Sequence, residues 1–161
     1  MFNLKAEFYL KIIFLFSFIA LISAFFIEYV LGHQPCNLCL IERIPYGLSI
    51  FLIMINYVTK KNERFILLLL TLIFVFSFLI SVYHFGIEKG FFEETAICGL
   101  KNADDLISKE ELLRLLSEKT VSCKDVTFRV FGLSLTSINI VISLIIIFIL
   151  IKSYNTYEKI K

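Results

Sequence analysis

The sequence predicts an all-α membrane protein, a bundle of four transmembrane helices with a short amphipathic helix in its second outer loop. Composition is the first reason. Of 161 residues, 58% are hydrophobic and only 19% charged. The mean hydropathy of +0.85 is more than a soluble domain of this length can hide. Segment length is the second reason, since a helix crosses a bilayer in roughly 20 apolar residues. Four segments qualify, at about residues 10–31, 40–58, 65–85 and 131–151. The third is charge. Lys5, Lys11, Lys60, Lys61, Arg64, Lys152, Lys159 and Lys161 outnumber Glu7, Glu63 and Glu158 at the chain ends and in the turn between segments two and three. In the long loop near residues 86–130, acidic residues slightly outnumber basic ones. The positive-inside rule then puts both termini and the short turn in the cytoplasm. The loops at about 32–39 and 86–130 fall outside, carrying all four cysteines to the side where disulfides persist. Residues 1–161 read as one integral membrane domain. The net charge of +2 carries no signal for nucleic acid, because topology accounts for the basic residues.

The first segment has the outline of a signal peptide, with Lys5 and Lys11 ahead of an apolar core and the small residues Ser23 and Ala24. Its apolar run exceeds the ~7–15 residues of a signal core, so it reads as a span. The second opens beside Cys36-Asn37-Leu38-Cys39 and contains Pro45. If the helix already runs through Ile41, Pro45 leaves that carbonyl without its partner. If the helix starts at Ile44, Pro45 sits at its first turn at no cost. The third ends in Tyr83-His84-Phe85-Gly86. In the long loop, Ser108-Lys109-Glu110-Glu111 reads as a capping box. Ile107, Leu112, Leu113, Leu115 and Leu116 make one side of that helix apolar, against Lys109, Glu110, Arg114 and Glu118. Such a helix lies on the membrane surface or packs on the bundle end. The fourth segment carries Asn139, which suits an interhelical hydrogen bond. Tyr29, Tyr46 and Tyr83 read as outer interfacial anchors, and Tyr9, Tyr57 and Tyr154 as inner ones.

The four sulfurs are the candidate chemistry. A C-x-x-C disulfide closes a very small ring, which makes it a weak staple and a good redox switch. The second span begins at or just after Cys39, near unpaired backbone N–H groups and the positive helix end, which favour a thiolate. Arg43 follows one turn later. It serves either the thiolate and an anionic electron acceptor, or only itself as a snorkelling cation paired with Glu42. An all-cysteine zinc site usually gathers two short-spaced pairs, and Cys98 and Cys123 stand far apart in the chain, so no metal is expected. Inert structural disulfides are the other possibility, and four cysteines allow three pairings. His84 suits a ligand or proton exchange as readily as a headgroup. Glu28 suits the interface or the neutralisation of a cation, and His33 suits plain solvation.

Gln34-Pro35-Cys36-Asn37-Leu38-Cys39-Leu40-Ile41-Glu42-Arg43 resembles the DsbB family of bacterial disulfide-bond formation proteins. Tyr83-His84-Phe85-Gly86-Ile87-Glu88 before Cys98, and Phe131-Gly132-Leu133-Ser134 after Cys123, extend the resemblance over essentially the whole chain. It implies a multi-pass inner-membrane thiol:quinone oxidoreductase that reoxidises a DsbA-like periplasmic dithiol oxidase. The resemblance assigns Cys98 and Cys123 to the disulfide that this partner attacks, with Cys98 taking the mixed disulfide. Electrons then pass to Cys36 and Cys39 and on to a ubiquinone or menaquinone. Cys39 is expected to face the quinone, with Arg43 stabilising the reduced ring and His84 near it. The two sulfur pairs are expected to approach one another by movement of the outer loop. Departures from the family include the charged, helix-prone loop, Pro45, and the lack of tryptophan near the fourth span. The vitamin K epoxide reductase type joins similar parts, but its C-x-x-C comes late in the chain. The alternative of another class is a tetraspan interaction protein with structural disulfides in its outer loop.

Overall fold

The computed structural model describes residues 4–59, 63–94, 98, 122–124, 128–130 and 132–158. Four long helices dominate it: α1 (Leu4–Tyr29), α2 (Asn37–Thr59), α3 (Glu63–Glu88) and α4 (Leu135–Glu158). Each is long and apolar enough to cross a membrane, so the protein is a multi-pass membrane protein. The amphipathic helix expected near 108–118 lies outside the described residues.

Packing sets the boundaries. α2 begins at Asn37, earlier than the expected residue 40, because Cys36 caps it. The Cys36 carbonyl accepts the Leu40 N–H at 3.2 Å, and its sulfur accepts the Cys39 N–H at 3.2 Å. That is the place of a capping Ser or Asp. Pro45 is therefore inside the helix, and it is wholly buried. The interruption falls against protein, where it is tolerated. α3 closes on Gly90, whose φ of 77° permits the Phe91 N–H to reach the Gly86 carbonyl at 2.8 Å. α4 starts at Leu135 rather than 131. Before it, Arg129–Val130 (β1) and Leu133–Ser134 (β2) pair antiparallel as Arg129↔Ser134 and Val130↔Leu133. Gly132, at φ 82°, turns that hairpin, and Ser134 Oγ caps the helix by accepting the Ser137 N–H at 3.2 Å.

α3 packs between α2 and α4, while α1 lies mainly against α2. Along α2 the buried positions Glu42, Tyr46, Ser49, Ile53 and Asn56 recur at helical spacing on one stripe. The matching stripes are Ser77, Ser81 and His84 on α3, and Thr136, Asn139 and Ser143 on α4. The interior is thus graded. The half next to the cysteines is polar, and the other half is filled by Leu10, Ile13, Ile53, Leu67, Leu70, Phe74, Ile146 and Leu150. Phenylalanines such as Phe18, Phe26, Phe51, Phe76 and Phe148 are exposed on the outside, as lipid contact requires. Tyr46, expected as an interfacial anchor, is instead buried in the polar half.

Lipid gives no hydrophobic drive between helices, so close approach at small residues holds them together. Ser49 Oγ donates to Ser17 Oγ at 2.9 Å where α2 meets α1, and Ser143 Oγ to Ser77 Oγ at 3.4 Å where α4 meets α3. All four are fully buried. Ser49→Leu is expected to overpack the first seam and cost about 1–3 kcal/mol, read as a lower denaturation midpoint in detergent.

Candidate functional site

The redox-capable residues gather at one end of the bundle. Cys36 is bonded to Cys39, with Cα atoms 5.1 Å apart, and Cys98 to Cys123, at 5.7 Å. Cys36, Cys98 and Cys123 are buried together with Leu38 and Ile87 in one cluster, and Cys39, Ile41 and Tyr83 pack against it. Both pairs thus belong to one buried cluster. Cys98 is 1% exposed and Cys123 2%, so both are covered. Glu94 ties down the turn carrying Cys123: it accepts from the Ser122 hydroxyl and, at 3.1 Å, from the Lys124 N–H.

The two sulfurs of the C-x-x-C face different surroundings. Cys39 lines a cavity of about 430 Å³ between α1, α2 and α4. Cys36 turns away from it, with Sγ 3.5 Å from His84 Nε2. The cavity walls are mostly apolar, from residues such as Phe16, Ile19, Ala24 and Ile27 on α1 and Leu135, Ile138 and Ile142 on α4. Glu42, Arg43, Tyr46, Thr136 and Asn139 supply its polar groups, and His33, Gln34, Pro35 and Phe128 line its cysteine end. His33 is thus not merely solvated: its ring lies 5.3 Å from that of Phe128.

Arg43 pairs with Glu28 of α1, not with Glu42. Their side chains are only 17% and 20% exposed, and the guanidinium stands 5.3 Å from the Phe25 ring centroid. This fits Glu28 neutralising a cation. It also holds Arg43 at the cavity wall rather than letting it snorkel away.

His84 does not line the cavity. It is 2% exposed and stands behind Glu42, whose Oε1 is 3.1 Å from His84 Nδ1. Thr136 Oγ1 is 3.3 Å from the same nitrogen and donates to Glu88 Oε1 at 2.6 Å. With a carboxylate and a hydroxyl lone pair both facing Nδ1, the proton belongs there, which leaves the Nε2 lone pair toward the Cys36 sulfur. Glu42 is fixed in turn by Asn139, whose Nδ2 donates to Glu42 Oε2 at 3.3 Å and to Ser81 Oγ at 2.8 Å. Tyr46 OH donates to Asn139 Oδ1. Asn139 thus makes the interhelical bonds expected of it. An ionisable network held at this depth is costly, and such residues in membranes mark function.

The family described as disulfide bond formation protein DsbB matches residues 6–152. The chain belongs to the DsbB family. It is also 26% identical over 136 residues to the uncharacterized protein RP370 of Rickettsia prowazekii (strain Madrid E), an overlap covering 83% of this chain and 79% of that one. No solved structure matches. DsbB membership carries oxidoreductase chemistry in disulfide bond formation, and both pairs of cysteines closed as disulfides agree with it. Of the residues singled out from sequence, Cys39 and Arg43 meet at the cavity, while Cys36, Cys98, Cys123 and His84 lie behind it. Sequence reasoning missed Glu42, seen only as a partner for Arg43, together with Thr136 and Glu88. The available signal for Glu42 was its place one turn after Cys39, on the stripe that continues through Tyr46 and Ser49.

Proposed function

We propose that the protein is a thiol:quinone oxidoreductase of the bacterial inner membrane. It reoxidises a DsbA-like periplasmic dithiol oxidase and passes the electrons to membrane quinone, which sustains disulfide formation. One observation carries the reading. Cys39 lines the cavity, while its disulfide partner Cys36 packs with Cys98 and Cys123. The C-x-x-C thus lines an acceptor's site with one sulfur, and the other shares a buried cluster with a second disulfide.

The cavity suits a ring with an apolar tail and two carbonyl oxygens. Its volume falls within the range of small-molecule sites, its walls are apolar, and Arg43, with N–H groups beyond the one given to Glu28, offers donors. A bound quinone accepts two electrons and two protons; the rest of the chemistry belongs to the chain. A partner thiolate attacks Cys98 and releases Cys123 as thiolate. The partner's second thiol then frees Cys98, leaving the partner oxidised and this pair reduced. The same exchange passes the two electrons to Cys36–Cys39 and recloses Cys98–Cys123, with one disulfide formed for each one opened. His84 Nε2 holds the proton of the Cys36 thiol. Glu42, hydrogen-bonded to His84 and lining the cavity, connects that proton to the acceptor's side. Arg43 orients an acceptor oxygen and favours negative charge there. The basic chain ends and α2–α3 turn support cytoplasmic termini and periplasmic cysteines.

The test is anaerobic. The purified protein is mixed with a reduced DsbA-type dithiol protein and a soluble ubiquinone analogue. Catalytic quinone reduction is the expected result. The near-complete burial of Cys98 and Cys123 favours one rival, a tetraspan protein with inert disulfides. Under it the quinone stays oxidised and mild dithiothreitol leaves both bonds closed. Arg43→Ala is expected to raise the KM for quinone about tenfold, the loss of roughly 1.4 kcal/mol of binding, with little change in kcat. An unchanged KM returns Arg43 to a purely structural partner of Glu28.

A further inference from the structure

We propose that reduction of Cys36–Cys39 creates a binding site for one thiophilic divalent cation, zinc above all, built from Cys36 Sγ, Cys39 Sγ and His84 Nε2. The resting, disulfide-bonded chain has no such site, because both sulfurs are then joined to each other.

The geometry is close to what the ion needs. The three ligand atoms lie within 4.8 Å of one another. In a tetrahedral zinc site, bonds of about 2.3 Å to sulfur and 2.0–2.1 Å to nitrogen put sulfur and nitrogen about 3.6 Å apart. Cys36 Sγ and His84 Nε2 are already 3.5 Å apart. Two thiolates on one ion stand about 3.8 Å apart, a separation that side-chain rotation can supply once the disulfide opens.

The second argument is how the histidine is held. A metal-binding imidazole almost always gives its other N–H to a carboxylate, which fixes tautomer and ring orientation. Here Glu42 Oε1 lies 3.1 Å from His84 Nδ1, with Asn139 holding the far carboxylate oxygen. The lone pair left on Nε2 points at the cysteine. Three protein ligands leave the fourth position for water, as zinc commonly accepts.

The balance is simple. Opening the disulfide takes two electrons and two protons, from a dithiol or phosphine reductant, and gives two thiols. The cation then displaces both thiol protons to the buffer and forms two metal–sulfur bonds. No electron moves in that second step, so the ion traps the reduced pair and keeps it from being reoxidised. The site rests on the redox reading only in requiring that the pair open.

The experiment uses the full chain in detergent, without oxygen, with Cys98→Ser and Cys123→Ser removing the other pair. The protein is reduced with a phosphine and the free thiols are counted. It is then titrated with Co2+ and afterwards with Zn2+. One Co2+ per chain is expected, with the thiolate-to-metal charge-transfer and strong visible bands of a tetrahedral site, and displacement by Zn2+. His84→Ala should weaken binding by about 100-fold or more, and Glu42→Gln by about 10–100-fold. Unreduced protein should bind none. Two free thiols with no cobalt spectrum overturn the proposal, as does equal affinity in His84→Ala, which would mean ordinary dithiol chelation. A disulfide that phosphine cannot open overturns both this site and the redox reading. Cobalt bound by a chain that fails to reduce quinone leaves the site standing and overturns only that reading. If the double serine variant does not fold, wild-type protein reduced at both pairs gives the same readout, and loss of the spectrum with His84→Ala assigns the site.

Discussion

Cys39→Ser stops quinone reduction, with turnover falling by at least about three orders of magnitude, as expected when an obligatory nucleophile is removed. The variant still forms a covalent complex with the partner dithiol protein. The reason is the division of surroundings between the sulfurs. Cys39 alone of the four lines the cavity, so no other thiolate can hand electrons to an acceptor there. Cys98 and Cys123 keep their own disulfide, which under the proposed mechanism is attacked once it is uncovered. Non-reducing gels detect the trapped partner, and anaerobic absorbance of the quinone reports turnover. Turnover near wild type in Cys39→Ser would move the acceptor's site away from this cavity. A variant that neither turns over nor forms the mixed disulfide would point to collapse of the buried sulfur cluster, because Cys36, Cys98 and Cys123 share one core with Leu38 and Ile87.

Glu42→Gln lowers kcat by about 10²-fold or more while changing the quinone KM little. Positioned proton transfer is worth about 10²–10⁴-fold. Glu42 is the carboxylate that both touches His84, at 3.1 Å, and lines the cavity. Gln keeps the size but has one acceptor oxygen for the two donors, His84 Nδ1 and Asn139 Nδ2, that Glu42 meets, and it cannot carry the proton. Glu42→Asp, which can, restores part of the rate. If Glu42 merely braced the helices, Gln would lower the denaturation midpoint in detergent and leave kcat nearly unchanged. The second path from His84, through Thr136 to Glu88, leads toward the end of α3. Thr136→Val therefore gives a smaller loss than Glu42→Gln if protons pass chiefly to the cavity.

Much of this protein is legible in one dimension. Four apolar runs of bilayer length cannot be hidden in water, so four crossing helices follow from Leu, Ile and Phe content alone. The C-x-x-C at a helix mouth and the stretch through Glu42 and Arg43 likewise announce thiol chemistry and the family. Boundaries were less legible. Cys36 caps α2 through its carbonyl and sulfur, a role sequence patterns reserve for Ser, Thr, Asp and Asn. Gly132 bends a short hairpin where an apolar run suggested helix.

What tertiary structure alone decided is who faces whom. Glu42 and Asn139 are 97 residues apart, and Cys36 and His84 are 48 apart. Helical periodicity puts each on an inner stripe but says nothing about which stripes meet. In lipid that choice is made by close packing at small residues such as Ser17, Ser49, Ser77 and Ser143, because apolar burial does not distinguish a neighbouring helix from the surrounding chains. The same packing turned Cys39 toward the cavity and Cys36 toward His84. Arg43 met Glu28 rather than Glu42 because α1 stands beside its face of α2, leaving Glu42 to the histidine. Sequence determined the elements and the chemistry they carry; packing between helices determined which sulfur does what.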